Sequence, residues 1–534
     1  MTAKNETIIV VGAGMAGLTA AAYLARRNYN VVLLEKNDRV GGLVHTYEHN
    51  GFSFDTGPRA FVNSGMVKPM LKDLGISQDF LENKISIGIE DHLFRVDSMD
   101  TVKDYQRILN HLYPENREDI EKIIATITQL SEYTRILYQF DNPNFVDLTK
   151  SKKFIFRQLI PWTLKFLHAL RKFNQFSMPM EVFMERLTDN VALQDIVTQF
   201  FFRKTPTYFA LGYFYVYLDY FYPAGGTGTL PALLKDRVLD WGGKIKLHTP
   251  ISKIHPAASQ VEDTKGNRYP YDHLIWAADL KTLYRNLQPD GLSAPLTATI
   301  ESEARRMFAA QGAESSFILF VALNRPPAYF QARGGEHLFY TPSKRGLGET
   351  NRGARQAILH EFEKKSKAEV FAWLEDFCTF NTYEVSVPAL RDPTLAPEGQ
   401  TGLMISCLID YDIVKNIQKA GWYDEFKETM ETRIIRTFSQ TLYQGLADDI
   451  LFKTSSTPLT IHKTVGSSEG AITGWSFESA LPVVNRLKDI PKSVITPIPG
   501  VLQAGQWAYS PSGVPIAMLT GWYAAQRIIK QAKR

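Results

Sequence analysis

Three glycines near the N-terminus have the spacing of a turn that binds a dinucleotide. Gly12, Gly14 and Gly17 follow a short apolar run, Ile8–Val11, which predicts a buried strand. The first glycine permits the turn, the second lets a pyrophosphate approach the backbone, and the third lets a helix pack closely on the strand. Glu35 ends the next apolar run, about 20 residues on, where an acid accepts hydrogen bonds from ribose hydroxyls. These residues predict a dinucleotide site.

The segment after Glu35 favours FAD over NAD. Arg39, Gly41 and Gly42 occur there in the order Arg-Val-Gly-Gly. This order resembles the segment that flavin enzymes run along the pyrophosphate toward the flavin ring. We therefore predict FAD as the cofactor. The same predicted site also includes Met15, Ala16 and Lys36.

The alternation of strand, glycine turn and helix recurs in later parts of the chain. Apolar periodicity predicts a helix over Met15–Arg26 and another after the glycines at 225–228. Near the C-terminus, a strand over Val501–Gly505 leads to a helix over Ile516–Ile529. We therefore assign three separated blocks to one FAD-binding domain: 1–74, 222–288 and 455–534.

The two intervening parts, 75–221 and 289–454, lack this pattern and are assigned to a substrate or membrane-contact domain. Periodicity predicts that the first is mostly helical, over Glu115–Leu137 and Met180–Phe202. The second mixes strands and a helix, at Ser316–Leu323, Leu403–Ile409 and Tyr423–Leu442. The predicted fold class is α/β, with a discontinuous Rossmann-type FAD-binding domain interleaved with an α+β substrate domain of mixed sheet and helices.

Composition argues against several classes of function. The net charge of +4 over 534 residues is too small to indicate nucleic-acid binding. Cys378 and Cys407 offer neither a disulfide framework nor metal-ligand spacing, and they fit a reducing compartment. His45 and His49 are four apart but fall in a predicted loop and hairpin, so no metal site is predicted. The first strand begins within ten residues of Met1, which predicts a cytoplasmic protein without a targeting peptide.

The segment 152–173 has the composition of a helix that lies on a membrane surface. Apolar and aromatic residues alternate there with six basic residues, and Pro161 interrupts it. An ordinary surface helix packed on a core has the same periodicity. Peripheral contact with the cytoplasmic face of a membrane and plain packing therefore both remain open. No stretch reaches the roughly 18 uncharged apolar residues that a spanning helix needs.

Further motifs, in their order along the chain, resemble the phytoene desaturase family of FAD-dependent oxidoreductases. This family includes carotenoid desaturases, carotene isomerases and retinol saturases. Besides the two glycine motifs at the N-terminus, the matching segments are Phe54–Pro58, Tyr222–Gly226, Gly242–Ile251, Ala277–Asp279, Thr457–Leu459 and Thr496–Gly505. Their set and order are specific to the family, whereas the N-terminal part alone would fit any amine oxidase.

The resemblance implies an enzyme that moves hydride between a substrate C–C bond and flavin N5. The implied substrate is a long apolar isoprenoid or carotenoid, held in a tunnel over the flavin, which is desaturated or, in reverse, saturated or isomerised. Quinones, oxygen or nicotinamide are the implied electron acceptors, although the chain has no second dinucleotide motif. Besides the residues of the N-terminal motifs, the implied cofactor contacts are Gly57, Pro58, Arg59, Ile251, Ala278, Gly505, Gly513 and Val514. Of these, Ile251 is expected to lie beside the adenine.

Two places depart from the family pattern where selectivity would lie. Arg59 follows Gly57-Pro58 where the family usually has a small polar residue, and the same triplet occurs in protoporphyrinogen oxidases. Arg59 could clamp a substrate carboxylate or stabilise the anionic reduced flavin. Alternatively, it pairs with a structural carboxylate or reaches solvent. The second departure is the presence of Trp507 and Tyr509 at a position near the flavin. Both are predicted substrate contacts.

Two other hypotheses follow. The first is a flavin oxidase of a carboxylated substrate, of porphyrinogen or fatty-acid type, anchored by Arg59. The second is a flavin-bearing carrier without turnover. The aromatic run Phe200–Tyr222 is predicted to line a substrate tunnel through Tyr213 and Tyr217, although an aromatic core has the same spacing. Asp219 is a weak candidate for an acid or base.

Overall fold

The computed structural model describes residues 6–145 and 160–531 of the chain. Its strands are β1 (Thr7–Val11), β2 (Asn30–Leu34), β3 (Thr46–His49), β4 (Phe52–Asp55), β5 (Phe61–Val62), β6 (Phe80–Glu82), β7 (Ile85–Ile89), β8 (His92–Val96), β9 (Tyr220–Pro223), β10 (Lys244–Lys246), β11 (Ile251–His255), β12 (Gln260–Asp263), β13 (Arg268–Pro270), β14 (His273–Trp276), β15 (Ser315–Leu323), β16 (His337–Thr341), β17 (Tyr383–Ser386), β18 (Thr401–Ile409), β19 (Ile450–Ser456) and β20 (Val501–Gln503).

The α-helices follow the same chain order. They are α1 (Met15–Ala25), α2 (Val67–Asp73), α3 (Val102–Leu112), α4 (Arg117–Tyr138), α5 (Ile160–Phe173), α6 (Met180–Met184), α7 (Val191–Thr198), α8 (Thr207–Val216), α9 (Thr229–Asp240), α10 (Leu280–Arg285), α11 (Ala294–Ala309), α12 (Pro327–Gln331), α13 (Gly353–His360), α14 (Lys367–Phe380), α15 (Tyr411–Lys419), α16 (Tyr423–Gln440), α17 (Pro458–Val465) and α18 (Val514–Gln531).

A five-stranded parallel sheet carries the first glycine turn. Its strand order is β10-β2-β1-β14-β20, so strands from distant parts of the chain lie side by side. The strand residues Ile8, Val10, Val31 and Ile275 are fully buried, and α1 packs against α18 beside them. Near-continuous apolar runs of this kind are required where helices cover a parallel sheet.

The prediction of a Rossmann-type α/β fold is confirmed by this sheet. The first strand and the helix after it lie where the apolar pattern predicts them. The C-terminal strand β20 joins the same sheet beside β14. The hairpin predicted after the second glycine motif is also present, as β3 and β4. The limits of the three blocks assigned to the FAD-binding domain remain a prediction.

A seven-stranded mixed sheet supports the other large part of the structure. Its order is β19-β15-β18-β17-β16-β7-β8, and only the pair β16–β7 is parallel. Side chains alternate between the two faces of a strand. Leu338 and Val385 therefore join the core that contains residues of α14 and α16. Phe339 packs on the opposite side, against the core that contains residues of α4 and α8.

The part 75–221 is mostly helical, as predicted, but one helix prediction there is wrong. The part also contains the strands β6, β7 and β8, and β7 pairs with the distant strand β16. Local periodicity cannot reveal such a partner. The single helix predicted over Met180–Phe202 is two helices, α6 and α7. Asn190 begins the second one by accepting a hydrogen bond from the Leu193 N–H.

Helix α5 forms the described part of the segment 152–173, which was predicted to contact a membrane. Residues 146–159 lie outside the described residues. Its inner side is buried at Phe173 and holds Trp162, whose Nε1 donates to the Ile136 carbonyl at 2.7 Å. Its outer side exposes large apolar residues: Ile160 at 46%, Leu164 at 68% and Leu167 at 57%. None of the described helices is long and apolar enough to cross a membrane.

Candidate active site

The turn between β1 and α1 has the geometry that a dinucleotide requires. Gly12 has a φ of +98°, a conformation that favours glycine. A Cβ on Gly17 would lie 1.9 Å from the Gly12 carbonyl oxygen, so helix and strand pack as closely as the third glycine predicts. The space above Gly14 is open, since a Cβ there would meet no heavy atom nearer than 4.0 Å. Helix α1 starts next to Gly14, and the N–H groups of its first turn face this space.

Glu35 directly follows β2 and is 6% exposed. Its Oε2 accepts a hydrogen bond from the Ala13 N–H at 2.7 Å, and its Oε1 accepts one from the Asn37 N–H at 2.9 Å. These bonds fix the carboxylate beside the glycine turn, and each oxygen keeps a lone pair for a ribose hydroxyl. The Thr249 N–H donates to the Glu35 carbonyl at 2.7 Å, which brings Ile251 to the same end of the sheet.

The Arg-Val-Gly-Gly segment packs directly against the glycine turn. Gly41 forms a β-bridge with Gly14, and a Cβ on Gly42 would lie 3.3 Å from the Gly14 Cα. The Arg39 side chain is 47% exposed and pairs with the exposed Asp38 at 3.3 Å. Gly41 and Gly42 therefore border the open space above Gly14, whereas Arg39 reaches solvent at its edge.

The other predicted cofactor contacts surround the same space. Gly505 has a φ of +100°, and a Cβ there would lie 3.5 Å from the Ala16 Cβ. Ala278 packs against the Gly12 turn. Lys36 is half-buried, and burial lowers the pKa of its ammonium group. The remaining predicted residues lie at the starts of α1 and α18: Met15, Gly513 and Val514.

These residues fit FAD. The open cradle above Gly14 is bordered by glycines and by the start of a helix, which is what a pyrophosphate needs. A buried carboxylate stands at the ribose position, and the end of β20 approaches the first turn of α1 from the other side. The sequence predicted each of these parts, and the fold brings them together. That each of them contacts the cofactor remains a prediction.

Arg59 is buried inside the protein, at 2% exposure. Its Nη1 donates to the carbonyl oxygens of Asp55 at 2.5 Å and Gly57 at 2.7 Å. Its Nε is enclosed and has no partner among the described residues. Arg59 therefore does not reach solvent, and its Nη1 holds the Gly-Pro-Arg turn rather than a carboxylate. Pro58, in the middle of this turn, is partly exposed.

A chain of polar residues links Arg59 to the large sheet. The Arg391 Nη1 donates to the Arg59 carbonyl at 2.8 Å and to the Asn83 Oδ1. The Asn83 Nδ2 lies 3.1 Å from the His337 Nδ1, and the His337 Nε2 lies 3.0 Å from the Glu384 Oε1. Because the Asn83 Oδ1 accepts from Arg391, its Nδ2 must donate to His337. We therefore assign His337 as a neutral ring whose Nε2–H donates to Glu384.

Glu384 keeps a charged carboxylate deep in the structure. Burial opposes its ionisation, but the hydrogen bond from His337 and the charge of Arg59 hold the pKa of Glu384 below its ordinary value. Burial lowers the pKa of His337, which agrees with the neutral ring. Although β17 lies in the middle of the seven-stranded sheet, 33% of the Glu384 side chain remains accessible. The carboxylate therefore borders an internal space.

The sequence motifs do not single out Asn83, His337, Glu384 or Arg391. Each is an isolated polar residue in or beside an apolar strand, so no local spacing relates one to another. One signal was available: Glu384 is an acid within a short strand that is otherwise buried. Charged residues are rarely buried without a partner or a task, so such an acid indicates one or the other.

Aromatic side chains from α8, β9, β16 and the segments that follow α7 and α8 lie near this carboxylate. We call the set Phe201, Tyr213, Tyr217, Tyr220 and Phe339 the aromatic cluster. Ring centroids are 5.8 Å apart for Phe201–Tyr213, 5.3 Å for Tyr213–Tyr217 and 5.5 Å for Tyr217–Phe339. The hydroxyls of Tyr213 and Tyr220 lie 2.9 Å apart. Phe339 is opposite Glu384 in the β16–β17 register, so the cluster ends at the carboxylate. The tunnel role of Tyr213 and Tyr217 remains a prediction.

The remaining candidates from the sequence are Trp507, Tyr509 and Asp219. Trp507 is 3% exposed and packs edge-on against Trp475 at 4.7 Å, and Tyr509 is 2% exposed within the core around α1. Little of either side chain is free, and their contact with substrate remains a prediction. Asp219 accepts a hydrogen bond from the Ser64 N–H at 2.6 Å, and burial raises the pKa of Asp219 to about 6. This bond gives Asp219 a structural task at the Ser64 turn.

Known proteins are similar to this chain over nearly its whole length. Residues 15–529 match the family described as flavin containing amine oxidoreductase. A 4,4'-diapophytoene desaturase (4,4'-diaponeurosporene-forming) of Staphylococcus aureus is 22% identical, with 99% of each chain covered. A 4,4'-diaponeurosporene oxygenase of Staphylococcus haemolyticus is 21% identical, with 88% of this chain and 87% of the relative covered. The solved structure of a putrescine oxidase triple mutant has a TM-score of 0.60 at 12% identity, with 99% of each chain covered.

The likeness to putrescine oxidase shows the fold alone. The family match agrees with the predicted flavin, and the two relatives agree with the resemblance to phytoene desaturases. The cradle above Gly14 and the carboxylate of Glu35 are the parts of that fold that suit FAD. The chain therefore belongs to the family of flavin-containing amine oxidoreductases, and it is an FAD-dependent oxidoreductase.

Proposed function

We propose that this protein introduces C=C bonds into a long apolar substrate of isoprenoid or carotenoid type. The observation that carries the proposal is the aromatic cluster, which ends at the charged carboxylate of Glu384. Such a surface suits an apolar chain along its length and a proton acceptor at one end. The names of the desaturase and oxygenase relatives support this choice of substrate. The same arrangement also suits the reverse saturation, or an isomerisation.

Desaturation removes two hydrogens from neighbouring carbon atoms, one as hydride and one as a proton. FAD, when bound, accepts the hydride. We assign the proton to the Glu384 carboxylate, because it is ionised and borders the internal space beside the aromatic cluster. The Nε2–H of His337 holds the carboxylate in place through Oε1. We further propose that a quinone, oxygen or nicotinamide accepts the electrons in turn.

A carboxylated substrate anchored by Arg59 is less well supported. A bidentate clamp needs two N–H groups on one edge of the guanidinium that a ligand can reach. The Nη1 of Arg59 is already bonded to two backbone carbonyls, and its Nε is enclosed. An incoming carboxylate would have to displace protein atoms around a side chain that is 2% exposed. No observation therefore favours this second function.

Anaerobic mixing tests the proposed function. Purified protein that carries FAD should lose its yellow flavin absorption when phytoene is added, because the substrate passes hydride to the flavin. The absorption should persist when a porphyrinogen or a saturated hydrocarbon of similar length is added instead. Bleaching by the porphyrinogen alone would refute the proposal in favour of the carboxylated substrate.

We also propose that helix α5 contacts a membrane surface, from which an apolar substrate would enter. Ile160, Leu164 and Leu167 are exposed on its outer side, with the basic residues Lys165 and Arg171 among them. Apolar residues flanked by lysine and arginine suit the boundary of an anionic lipid layer.

Substitution of both exposed leucines should weaken this contact. The double variant Leu164→Ser, Leu167→Ser is expected to bind anionic phospholipid vesicles at least about tenfold less tightly, since two buried leucines contribute more than about 1.4 kcal/mol. Co-sedimentation measures the binding. The matched control is Leu239→Ser with Leu451→Ser, because these leucines are each 48% exposed but lie on other elements. An equal loss in both double variants, or no loss in the first, would argue against membrane contact through α5.

A further inference from the structure

Two arginines lie buried side by side without a carboxylate partner. Arg59 is 2% exposed and Arg391 is 9% exposed, and the Arg391 Nη1 donates to the Arg59 carbonyl at 2.8 Å. We call these two residues the arginine pair. Among the described residues, neither guanidinium forms an ion pair, and all their hydrogen bonds end on uncharged oxygens. The acceptors are the backbone carbonyls of Asp55, Gly57 and Arg59 and the side-chain oxygens of Asn83 and Ser386.

Both members of the arginine pair remain charged. Burial lowers the pKa of each guanidinium, although the charges of nearby carboxylates oppose this effect. Arginine nevertheless keeps its proton in proteins, because its ordinary pKa is above about 12. The face of the Tyr222 ring, 4.0 Å from the Arg391 Cζ, supplies only a partial negative charge. Buried charges are normally paired, so two adjacent ones without a carboxylate indicate that their charge has a task.

Two carboxylates lie near the arginine pair, and their charges balance it. Asp55 accepts four hydrogen bonds, from the Thr46 hydroxyl at 3.0 Å, the Tyr222 hydroxyl at 2.6 Å, and the N–H and hydroxyl of Thr227 at 2.9 and 2.7 Å. The ionised carboxylate of Glu384 is the second. The charges of both carboxylates raise the pKa of Arg59. Two positive and two negative charges sum to zero.

A proton on Glu384 changes this sum to one positive charge. In the proposed function, the substrate proton goes to Glu384 and the hydride goes to the flavin, which leaves one negative charge on the flavin ring. The positive charge that remains on the arginine pair balances it. Glu336 is a further acid near Arg391, but it is paired with Arg95 at 2.8 Å and does not alter the sum.

The arginine pair lies beside the segment that is expected to run along the cofactor toward the flavin ring. A Cβ on Gly57 would lie 1.8 Å from the carbonyl oxygen of Leu43, which follows Gly42 at the border of the cradle above Gly14. The Arg59 Nη1 donates to the Gly57 carbonyl at 2.7 Å. A charge acts through space, so an enclosed guanidinium acts on a flavin ring without touching it. In a protein interior, unit charges about 10 Å apart still change an equilibrium constant more than tenfold.

We propose that Arg59 and Arg391 raise the reduction potential of the bound flavin. Their charge stabilises the negative charge that reduction places on the ring, which makes the flavin a stronger hydride acceptor. Such an acceptor suits a hydrocarbon, because a C–H bond between carbon atoms is a poor hydride donor. The charge balance rests on the proposed function through the role of Glu384, whereas the effect of the arginines on the flavin does not depend on the substrate.

The reduction potential of the bound flavin, measured by equilibration with reference dyes, tests the inference. Arg59→Met and Arg391→Met are each expected to lower the potential by at least about 30 mV, which is a tenfold change in the equilibrium constant of a two-electron couple. Arg59→Lys should keep the potential near that of the wild type, because lysine keeps the charge. The control is Arg355→Met on α13, which should change the potential much less. Arg355 is 3% exposed but is paired with both oxygens of Asp410, each at 2.7 Å.

Sulfite provides a second measurement, which requires neither substrate nor reduction. It donates its electron pair to flavin N5, and the resulting adduct carries a negative charge on the ring. We expect each of the variants Arg59→Met and Arg391→Met to bind sulfite at least about tenfold less tightly when loaded with FAD. Glu384→Gln removes a negative charge near the arginine pair and should bind sulfite more tightly than the wild type.

An unchanged potential with unchanged sulfite affinity in the methionine variants would overturn the inference. If neither methionine variant retains FAD, Glu384→Gln decides, and sulfite affinity equal to that of the wild type would overturn the inference. A lowered potential in the methionine variants, with no bleaching of the wild type by phytoene, fails only the proposed function. Bleaching by phytoene with unchanged potentials in the variants fails only the inference.

Discussion

Replacement of Gly14 by valine is expected to abolish FAD binding and to leave the fold intact. The backbone of Gly14 is extended, with φ −73° and ψ −179°, so a side chain is sterically allowed there. A new Cβ would meet no protein atom nearer than 4.0 Å. The valine methyl groups would instead fill the cradle in which we place the pyrophosphate. We expect affinity for FAD to fall at least about 1,000-fold, equivalent to about 4 kcal/mol.

Flavin absorption after purification and reconstitution with excess FAD measures this loss. Thermal unfolding of the apoprotein provides the comparison of stability. Two other glycine substitutions serve as controls. Gly421→Ala has open space but a φ of +79°, so it should cost about 1 kcal/mol of stability and keep the flavin. Gly17→Ala would place its Cβ 1.9 Å from the Gly12 oxygen and should destabilise the protein itself. A yellow Gly14→Val protein with ordinary FAD affinity would contradict the position assigned to the cofactor.

Replacement of Glu384 by glutamine is expected to slow flavin reduction by phytoene about 100-fold without loss of FAD. Glutamine keeps an acceptor oxygen for the Nε2–H of His337, so the local geometry should survive. It removes the negative charge that would take the substrate proton, and general acid–base groups contribute at least about 100-fold to rate. Because the pKa of Glu384 lies below its ordinary value, the wild-type rate should not fall as pH decreases from about 8 to 6.

Anaerobic stopped-flow absorbance measures the rate, and the flavin content of each preparation is measured alongside. The control is Glu336→Gln, which neutralises another buried glutamate in the same part of the sheet. Glu336 pairs with Arg95 at 2.8 Å, away from the aromatic cluster. The Glu336→Gln substitution should lower the stability of the protein more than the rate of flavin reduction, since it removes an ion pair that is partly buried. An unchanged rate in Glu384→Gln would assign the proton to another acceptor.

The cofactor cradle was predictable because its signals are local. Gly12, Gly14 and Gly17 lie within one turn, and Glu35 lies at the end of the next strand. A strand, a glycine turn and a helix constrain one another over a few residues, so their geometry follows from spacing. The prediction was less successful where chain geometry is set by distant partners. The strands β7 and β8 are an example, because β7 is held by the parallel pairing with β16.

The carboxylate end of the aromatic cluster shows the same limit. Asn83, His337, Glu384 and Arg391 meet because β16 and β17 pair and because Arg391 reaches across to the Arg59 carbonyl. Nothing in the residues around any one of them encodes these contacts. Arg59 was singled out from the sequence, but its partners were not, since backbone carbonyls carry no sequence signature.

The most direct test of the central claim is product analysis of the anaerobic mixture of FAD-loaded protein and phytoene. In the absence of oxygen, the flavin can be reduced only as far as substrate is oxidised. We expect one molecule of product, lighter by two hydrogen atoms and carrying one more C=C bond, for each flavin that is bleached. A flavin that stays oxidised in the presence of phytoene, but is bleached by a porphyrinogen or an unsaturated fatty acid, would contradict the account.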